Sequence, residues 1–353
     1  MSVSPFDHPL LSGLLGDDEI APFFSADAEI TEMLRFETEL ARAEGAEGVI
    51  PADSAQHIVE QLQDMELDLD RIRHATARDG TIGVEFVRQL RGWLGPDYDQ
   101  QVHFGATSQD LVDTALVLRL RAILTILRGR LAALPATLGA LDTQFGSRKL
   151  VARTRMQDAV PITVSDKLAT WQAPLRRHLT RLDELLPRLM LLQFGGAAGT
   201  LDKLGDKARA VSNRLAAGLG LAAPEHSWHT QRDSIVELAD WLSLVSGSLG
   251  KVGADIGLMA QNRVGEIQLD GGGGSSAMPH KQNPIGAEVL VALARYNATL
   301  VSGMHEALVH EQERSGAAWT LEWLVLPQMV MTTAASLRTA SSLLGQIVRI
   351  GQD

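Results

Sequence analysis

Residues 271–284, GGGGSSAMPHKQNP, set four glycines in front of a hydroxyl-rich and cationic tail. Glycine backbone adopts angles that other residues avoid. Ser275, Ser276, His280, Lys281 and Asn283 then supply hydroxyl, imidazole, ammonium and amide groups. Met278-Pro279 and Asn283-Pro284 stiffen the second half. A mobile half followed by a stiff polar half predicts a lid that closes over a substrate, with no fixed order expected over 270–284 in the unliganded protein. A plain flexible linker is the alternative.

Two further clusters carry groups that bind anions. QVHFGATSQD (101–110) leads into a long apolar stretch, and Thr107 with Asp110 three residues on has the pattern of a capping box. Free amides and hydroxyls at such a helix start also suit a carboxylate. SRKLVARTRMQDAVP (147–161) gathers Arg148, Lys149, Arg153 and Arg155 in an otherwise acidic chain. Pro161 bars a helix through it. If 151–157 is extended, alternate side chains share a side, so Arg153, Arg155 and Gln157 line up. Paired guanidiniums bind carboxylates bidentately; a solvated basic loop is the alternative.

Other patterns fail on spacing. His305 and His310 are five apart, about 140° from each other around a helix, whereas a zinc-binding pair needs four. FGGAAGT (194–200) lacks the dinucleotide-binding spacing and reads as a helix-ending turn. The glycine loop is no P-loop, because His280 precedes Lys281 where glycine is required. There is no G-x-S-x-G elbow. No metal or other cofactor is expected.

The 353 residues are 45% hydrophobic and 21% charged, enough for a large core. Aromatics are 5% and cysteines 0, which favours helices and excludes disulfides and thiolate metal sites. A net charge of −11 argues against nucleic acid or an anionic membrane as partner. With no signal-peptide pattern at the N-terminus and no long uninterrupted apolar run, a cytoplasmic protein is expected.

The positioning elements read as helices. Residues 26–45 form an amphipathic helix that Gly45 is expected to stop. Shorter segments follow to about residue 100. Then 108–141, 162–193, 232–264, 285–312 and 319–348 carry helical periodicity without strand-like alternation, and Thr163, Val164 and Asp233 sit at helix starts. Helices of roughly 30 residues, about 45 Å long, predict an extended bundle. The stretch 285–309 is apolar on more than one face, which predicts an oligomer built through the bundle.

GSSAMPHKQNP, with HFGATSQD, ARTRMQDAVP and WHTQRDSIVELADWL (228–242) in the same order and at similar spacing, resembles the fumarase/aspartase superfamily over residues 5 to 345. The resemblance implies an all-α, long-helix subunit and a homotetramer around a twenty-helix core, with active sites shared between subunits. It divides the chain into an N-terminal helical domain (1–107), a central long-helix domain (108–345) and a short C-terminal remnant (346–353). The chain ends soon after its last long helix, where purine-pathway members carry a further helical domain. By motif position Ser275 matches the catalytic serine, Lys281 and Asn283 the carboxylate-binding loop residues, and Thr107 and Ser108 the substrate-binding pair. Ser276 and Met278 extend the loop's contacts. The family's reaction removes a proton beside a carboxylate and expels a group from the next carbon. Lys281 and the glycine amides would stabilise the serine alkoxide.

One departure is informative. Members that expel an amine or hydroxide carry histidine in G-R-T-H, whereas this chain reads A-R-T-R, with Arg155 in that place. Arginine donates no proton near neutral pH. A carboxylate, whose conjugate acid has a pKa of about 4, leaves or attacks without one. The resemblance therefore implies the lactone-forming branch and a small-molecule tricarboxylate as partner. There His103 orients or binds the substrate, and Gln231, Arg232 and Arg314 are further carboxylate binders. A purine-pathway-like elimination and a non-catalytic helical tetramer are the competing readings.

Overall fold

The computed structural model describes residues 3–274, 277–278 and 281–352. Its first long helix follows a short turn, α1 (Ser12–Leu15), and a 3-10 turn at Ala21–Phe24. Ser25 caps α2 (Ala26–Ala46) by accepting from the Ala28 amide, and Asp27 and Glu29 place acids in its first turn. Its buried face takes Met33, Phe36, Glu37, Leu40 and Glu44 at helical spacing. The expected stop at Gly45 does not occur. A β-carbon there would lie 2.4 Å from that of Ala55, so this glycine lets α3 (Ala52–Gln63) pack closely instead. α4 (Leu69–Asp79) and α5 (Gly83–Leu94) complete this part.

The long elements follow as α6 (Ser108–Phe145), α7 (Val164–Leu189), α8 (Ala208–Leu219), α9 (Asp233–Met259), α10 (Ile285–Glu306) and α11 (Gly316–Gly345). α6 alone spans 38 residues, about 57 Å. α7 begins as its sequence requires. Thr163 accepts from the Asp166 amide, and Asp166 accepts from the Thr163 amide. α9 begins at Asp233 as expected, although α7, α9 and α10 each end a few residues short of the sequence reading. α6, α7, α9, α10 and α11 pack side by side. A single apolar cluster reaches from Phe6 to Ile350 and passes through the expected boundary at residue 107 without interruption.

Two small antiparallel pairs depart from pure helix. β1 (Lys149–Thr154) and β2 (Gln157–Thr163) form a hairpin, and β3 (Ile267–Leu269) pairs with β4 (Ile347–Ile350). The segment 346–353 thus contributes a strand, and Gln352 is bridged to Lys149. The architecture remains an all-α, long-helix bundle. No helix among the described residues is long and apolar enough to cross a membrane.

α9, α10 and α11 are tied by one buried amide. Asn297 on α10 is 0% exposed, and its Nδ2 donates to Leu242 O, Ser246 Oγ and Thr333 Oγ1. Asn297→Ala removes these bonds and opens a small void. It is expected to lower unfolding stability by about 1–3 kcal/mol, read from denaturation at fixed protein concentration. An unchanged midpoint would mean that the amide contributes nothing to holding the bundle.

Candidate active site

Asp110 sits in the first turn of α6 and is 0% exposed. Its Oδ1 accepts from His229 Nε2 at 2.7 Å, the Gly195 amide at 2.9 Å and Gln193 Nε2 at 3.2 Å. Its Oδ2 accepts from the Gly196 amide at 2.8 Å and the Thr107 amide at 3.0 Å. A carboxylate accepting this many donors is held in one position. Three distant stretches thus meet on one side chain. FGGAAGT, read from sequence as a helix-ending turn, is an irregular segment whose amides grip Asp110. Gly196 has φ +66°, and a β-carbon there would lie 2.6 Å from Gly105 O, so no other residue fits.

One turn further along α6, Asp113 accepts from Arg232 Nη1 and Nη2 at 2.6 and 3.2 Å, from Trp319 Nε1 at 2.9 Å and from Gln109 Nε2 at 3.2 Å. Arg232 also donates to Glu322 through Nε at 2.8 Å and Nη2 at 2.5 Å, and its guanidinium lies 4.8 Å from the Trp228 ring. Burial opposes the Arg232 charge, but the two carboxylates outweigh it and hold the guanidinium protonated above its usual range. Burial also pushes the Glu322 carboxyl up, and bonds with His310 and Arg232 more than reverse this, leaving it below the usual range. Arg232 is therefore not an available carboxylate binder. It is 0% exposed and its guanidinium is committed to two internal carboxylates. Beside it, Gln231 is exposed and donates to Ser227 O.

Contacts within the chain sort the remaining candidates into groups. Arg314 Nη1 donates to Thr107 Oγ1 at 2.5 Å, joining two candidates 207 positions apart in sequence. Ser108, beside Thr107, packs against Gly83 of α5. Glu322, on α11, lies 3.4 Å from His310 Nε2, whereas His305 Nε2 lies 3.2 Å from Asp240 Oδ1, so the two histidines face different partners. No group of three His, Cys, Asp or Glu side chains suited to a metal occurs among the described residues.

The basic segment folds differently from its expected alignment. Arg155 and Met156 occupy the two-residue tip of the hairpin, with φ of 49° and 66°. Arg153 pairs with Asp158 across the strands, and Gln157 pairs with Thr154. The three candidates therefore do not share one side of a continuous strand, because the chain reverses between them. Arg153 bonds Glu266 at 2.7 Å and Asp158 at 3.0 Å, while Arg155 is exposed at the tip.

In the glycine loop, Gly273 and Asn283 exchange two backbone hydrogen bonds of 2.9 Å, closing the base of the loop. The Lys281 amide bonds Met278 O, and both residues are exposed. Ser275 and Ser276 lie outside the described residues, as does His280.

His103 has φ +57°, which costs a non-glycine residue about 1–2 kcal/mol. Its Nδ1 lies 2.5 Å from Oε1 of the fully buried Glu37 on α2. Two turns further along that helix Glu44 is 0% exposed, and neither carboxyl oxygen has a partner among the described residues. A cavity of about 340 Å³ lies elsewhere, lined by Glu29, Val112, Arg119, Glu322 and Trp323 among others. It touches the buried ion network through Glu322, but none of the sequence candidates lines it.

Sequence reasoning took Asp110 only as a cap and missed Glu37, Asp113, His229 and Glu322. Asp110 and Asp113 did carry a signal: two acids three apart, in a stretch otherwise apolar, share one helix face.

A family model described as lyase matches residues 18–296. The 3-carboxy-cis,cis-muconate cycloisomerase of Pseudomonas aeruginosa is 42% identical over 327 residues, covering 91% of this chain and 71% of that protein. The crystal structure of the 3-carboxy-cis,cis-muconate lactonizing enzyme from Pseudomonas putida superposes with a TM-score of 0.91 at 40% identity, covering 96% of this chain and 77% of that one. Trans-aconitate decarboxylase 1 of Mycosarcoma maydis is 35% identical, covering 95% of this chain and 68% of that protein.

Burial pushes the Glu44 carboxyl up to about 9, helped by the nearby Glu37 charge. A carboxyl raised in the folded state stabilises folding fully below its unfolded value of 4.5, and that contribution fades as pH climbs towards 9. Glu44→Gln cannot ionise. Its stability is expected to gain on the wild type across pH 5 to 9, by at most about 1.4 kcal/mol per unit. Parallel stability curves for the two proteins would refute the burial argument.

Proposed function

The chain belongs to the lyase family, within the fumarase/aspartase superfamily, and on that footing we propose that it converts 3-carboxy-cis,cis-muconate to a carboxymuconolactone. The observation that carries this reading is Arg155, standing where amine- and hydroxide-expelling members hold an acid histidine and presented at an exposed hairpin tip. The relatives named for muconate cycloisomerisation support it. Aconitate, like carboxymuconate, is a tricarboxylate, so the substrate class extends to the decarboxylase as well.

In the proposed step one substrate carboxylate oxygen forms a C–O bond to the double bond. The displaced π electrons pass to the adjacent carbon as an enolate-like dianion, and Ser275 donates its hydroxyl proton there. Lys281 and the glycine-rich amides stabilise the serine alkoxide left behind, which regains its proton from solvent. No acid is needed at Arg155, because a carboxylate is the nucleophile. Arg155, Arg314, Thr107, Ser108, Asn283 and His103 are assigned to the three substrate carboxylates, with Ser276, Met278, Gln157 and Gln231 at the edge of the site. Arg153 serves by holding the hairpin to Glu266.

A homotetramer completes the reading. Leu244 and Leu258 on α9 and Leu324 on α11 are 48%, 45% and 61% exposed, and apolar surface on the long helices is what a shared bundle would cover. In this arrangement the region 108–345 supplies the tetramer core, 1–107 forms an outer helical part, and the active site is assembled between subunits.

The first test is loss of conjugated-diene absorbance when protein meets 3-carboxy-cis,cis-muconate, with trans-aconitate and adenylosuccinate run in parallel. Rapid loss with the first alone is the expected result. Turnover confined to either of the others would replace the lactonisation reading with decarboxylation or elimination. Ser275→Ala is expected to lower muconate turnover by orders of magnitude with the oligomer intact, and a variant as active as its parent would remove Ser275 from the mechanism. Arg155→His is expected to weaken lactonisation without creating lyase activity; full retention would void the role given to the arginine.

A further inference from the structure

We infer that Glu37 is the positioning residue of His103, keeping a hydrogen on Nδ1 so that Nε2 is the nitrogen that takes up a proton from solvent and donates it to a carboxylate of the substrate. The inference rests on the proposed function only for what His103 then binds. An ionised carboxylate accepts hydrogen bonds and donates none, so the ring nitrogen facing it carries the hydrogen. Glu37 Oε2 is sealed in the interior without a partner, whereas His103 Nε2 is not among the sealed atoms and takes no partner from the described residues. One edge of the ring is therefore fixed in the core, and the side chain as a whole keeps 8% of its surface exposed, four residues before Thr107.

The backbone supports this arrangement, since His103 holds a left-handed conformation that turns its ring towards α2. Glu44 supports it as well. Two carboxyls on one buried helix face do not both ionise readily, and Glu44, whose burial pushes it up to about 9, remains the neutral member. A substrate carboxylate arriving at Nε2 then meets a ring whose Nδ1 is already committed to Glu37, so the hydrogen that bonds it is one gained at Nε2. A buried carboxylate behind a histidine of this kind fixes both tautomer and orientation.

The test is the tautomer itself. Protein with ¹⁵N-labelled histidine is compared with Glu37→Gln at pH 8 without ligand, the His103 signals being identified by their loss in His103→Asn. The wild type should show the hydrogen on Nδ1. In the variant the amide can donate as well as accept, so a mixture of tautomers is expected. With muconate as substrate, Glu37→Gln should raise KM about tenfold while lowering kcat far less, as loss of an oriented binding group does. A wild-type ring with its hydrogen on Nε2 overturns the inference. So does a variant whose tautomer and KM both match the wild type. The wild-type spectrum decides even if the variant fails to fold. It also needs no substrate, so a chain inactive on muconate would sink the functional reading and leave Glu37 to be judged by its spectrum.

Discussion

The polar groups around the start of α6 are organised on one buried carboxylate. Asp110 takes donors from its own helix start, from the 193–196 segment and from His229, and so pins three stretches that share no secondary structure. Apart from Gln193 Nε2, which also reaches Ser227 Oγ, these donors would lose their partner among the described residues if Asp110 were absent, and a buried unpaired donor costs about 1–3 kcal/mol. The start of α6 is therefore placed by long-range contacts as much as by helix propensity. Thr107, which contacts Arg314, inherits its position from this pin.

The network beneath it answers a different need. Arg232, Asp113 and Glu322 form a buried ion triad whose desolvation cost is large, so it is weak evidence for stability taken alone. Its consequence is geometric, because it joins α6, the start of α9 and α11 at one depth and fixes their register. Trp319 and Trp228 close over the triad from two sides. A core of leucines alone could slide by a turn, whereas one with a matched guanidinium in it cannot.

Much of this was legible in the sequence. The all-α bundle, the helix starts at Ser108, Val164 and Asp233, and the capping by Thr163 follow from periodicity and local chemistry. The motif positions also pointed to two of the three stretches that converge on Asp110, HFGATSQD and WHTQRD, but not to FGGAAGT. What escaped was tertiary. Arg232 reads as a free anion binder until Asp113 and Glu322, 119 and 90 positions away, are seen to occupy it. Gly45 reads as a helix stop until Ala55 is seen against it. Arg153, Arg155 and Gln157 read as one row because nothing local announces a reversal at Arg155-Met156, where neither residue favours the turn.

That reversal sets two demands against each other. Both residues of the hairpin tip sit in left-handed backbone, where glycine, asparagine or aspartate would be at ease and arginine and methionine are not. A residue that relaxed the turn at 155 would take away the guanidinium, and one that keeps the guanidinium keeps the strain. The tip is thus a place where the protein's sturdiness and its charge cannot be improved together. A search for hardier versions of this chain would be drawn to position 155 and would lose there the guanidinium on which the proposed function rests.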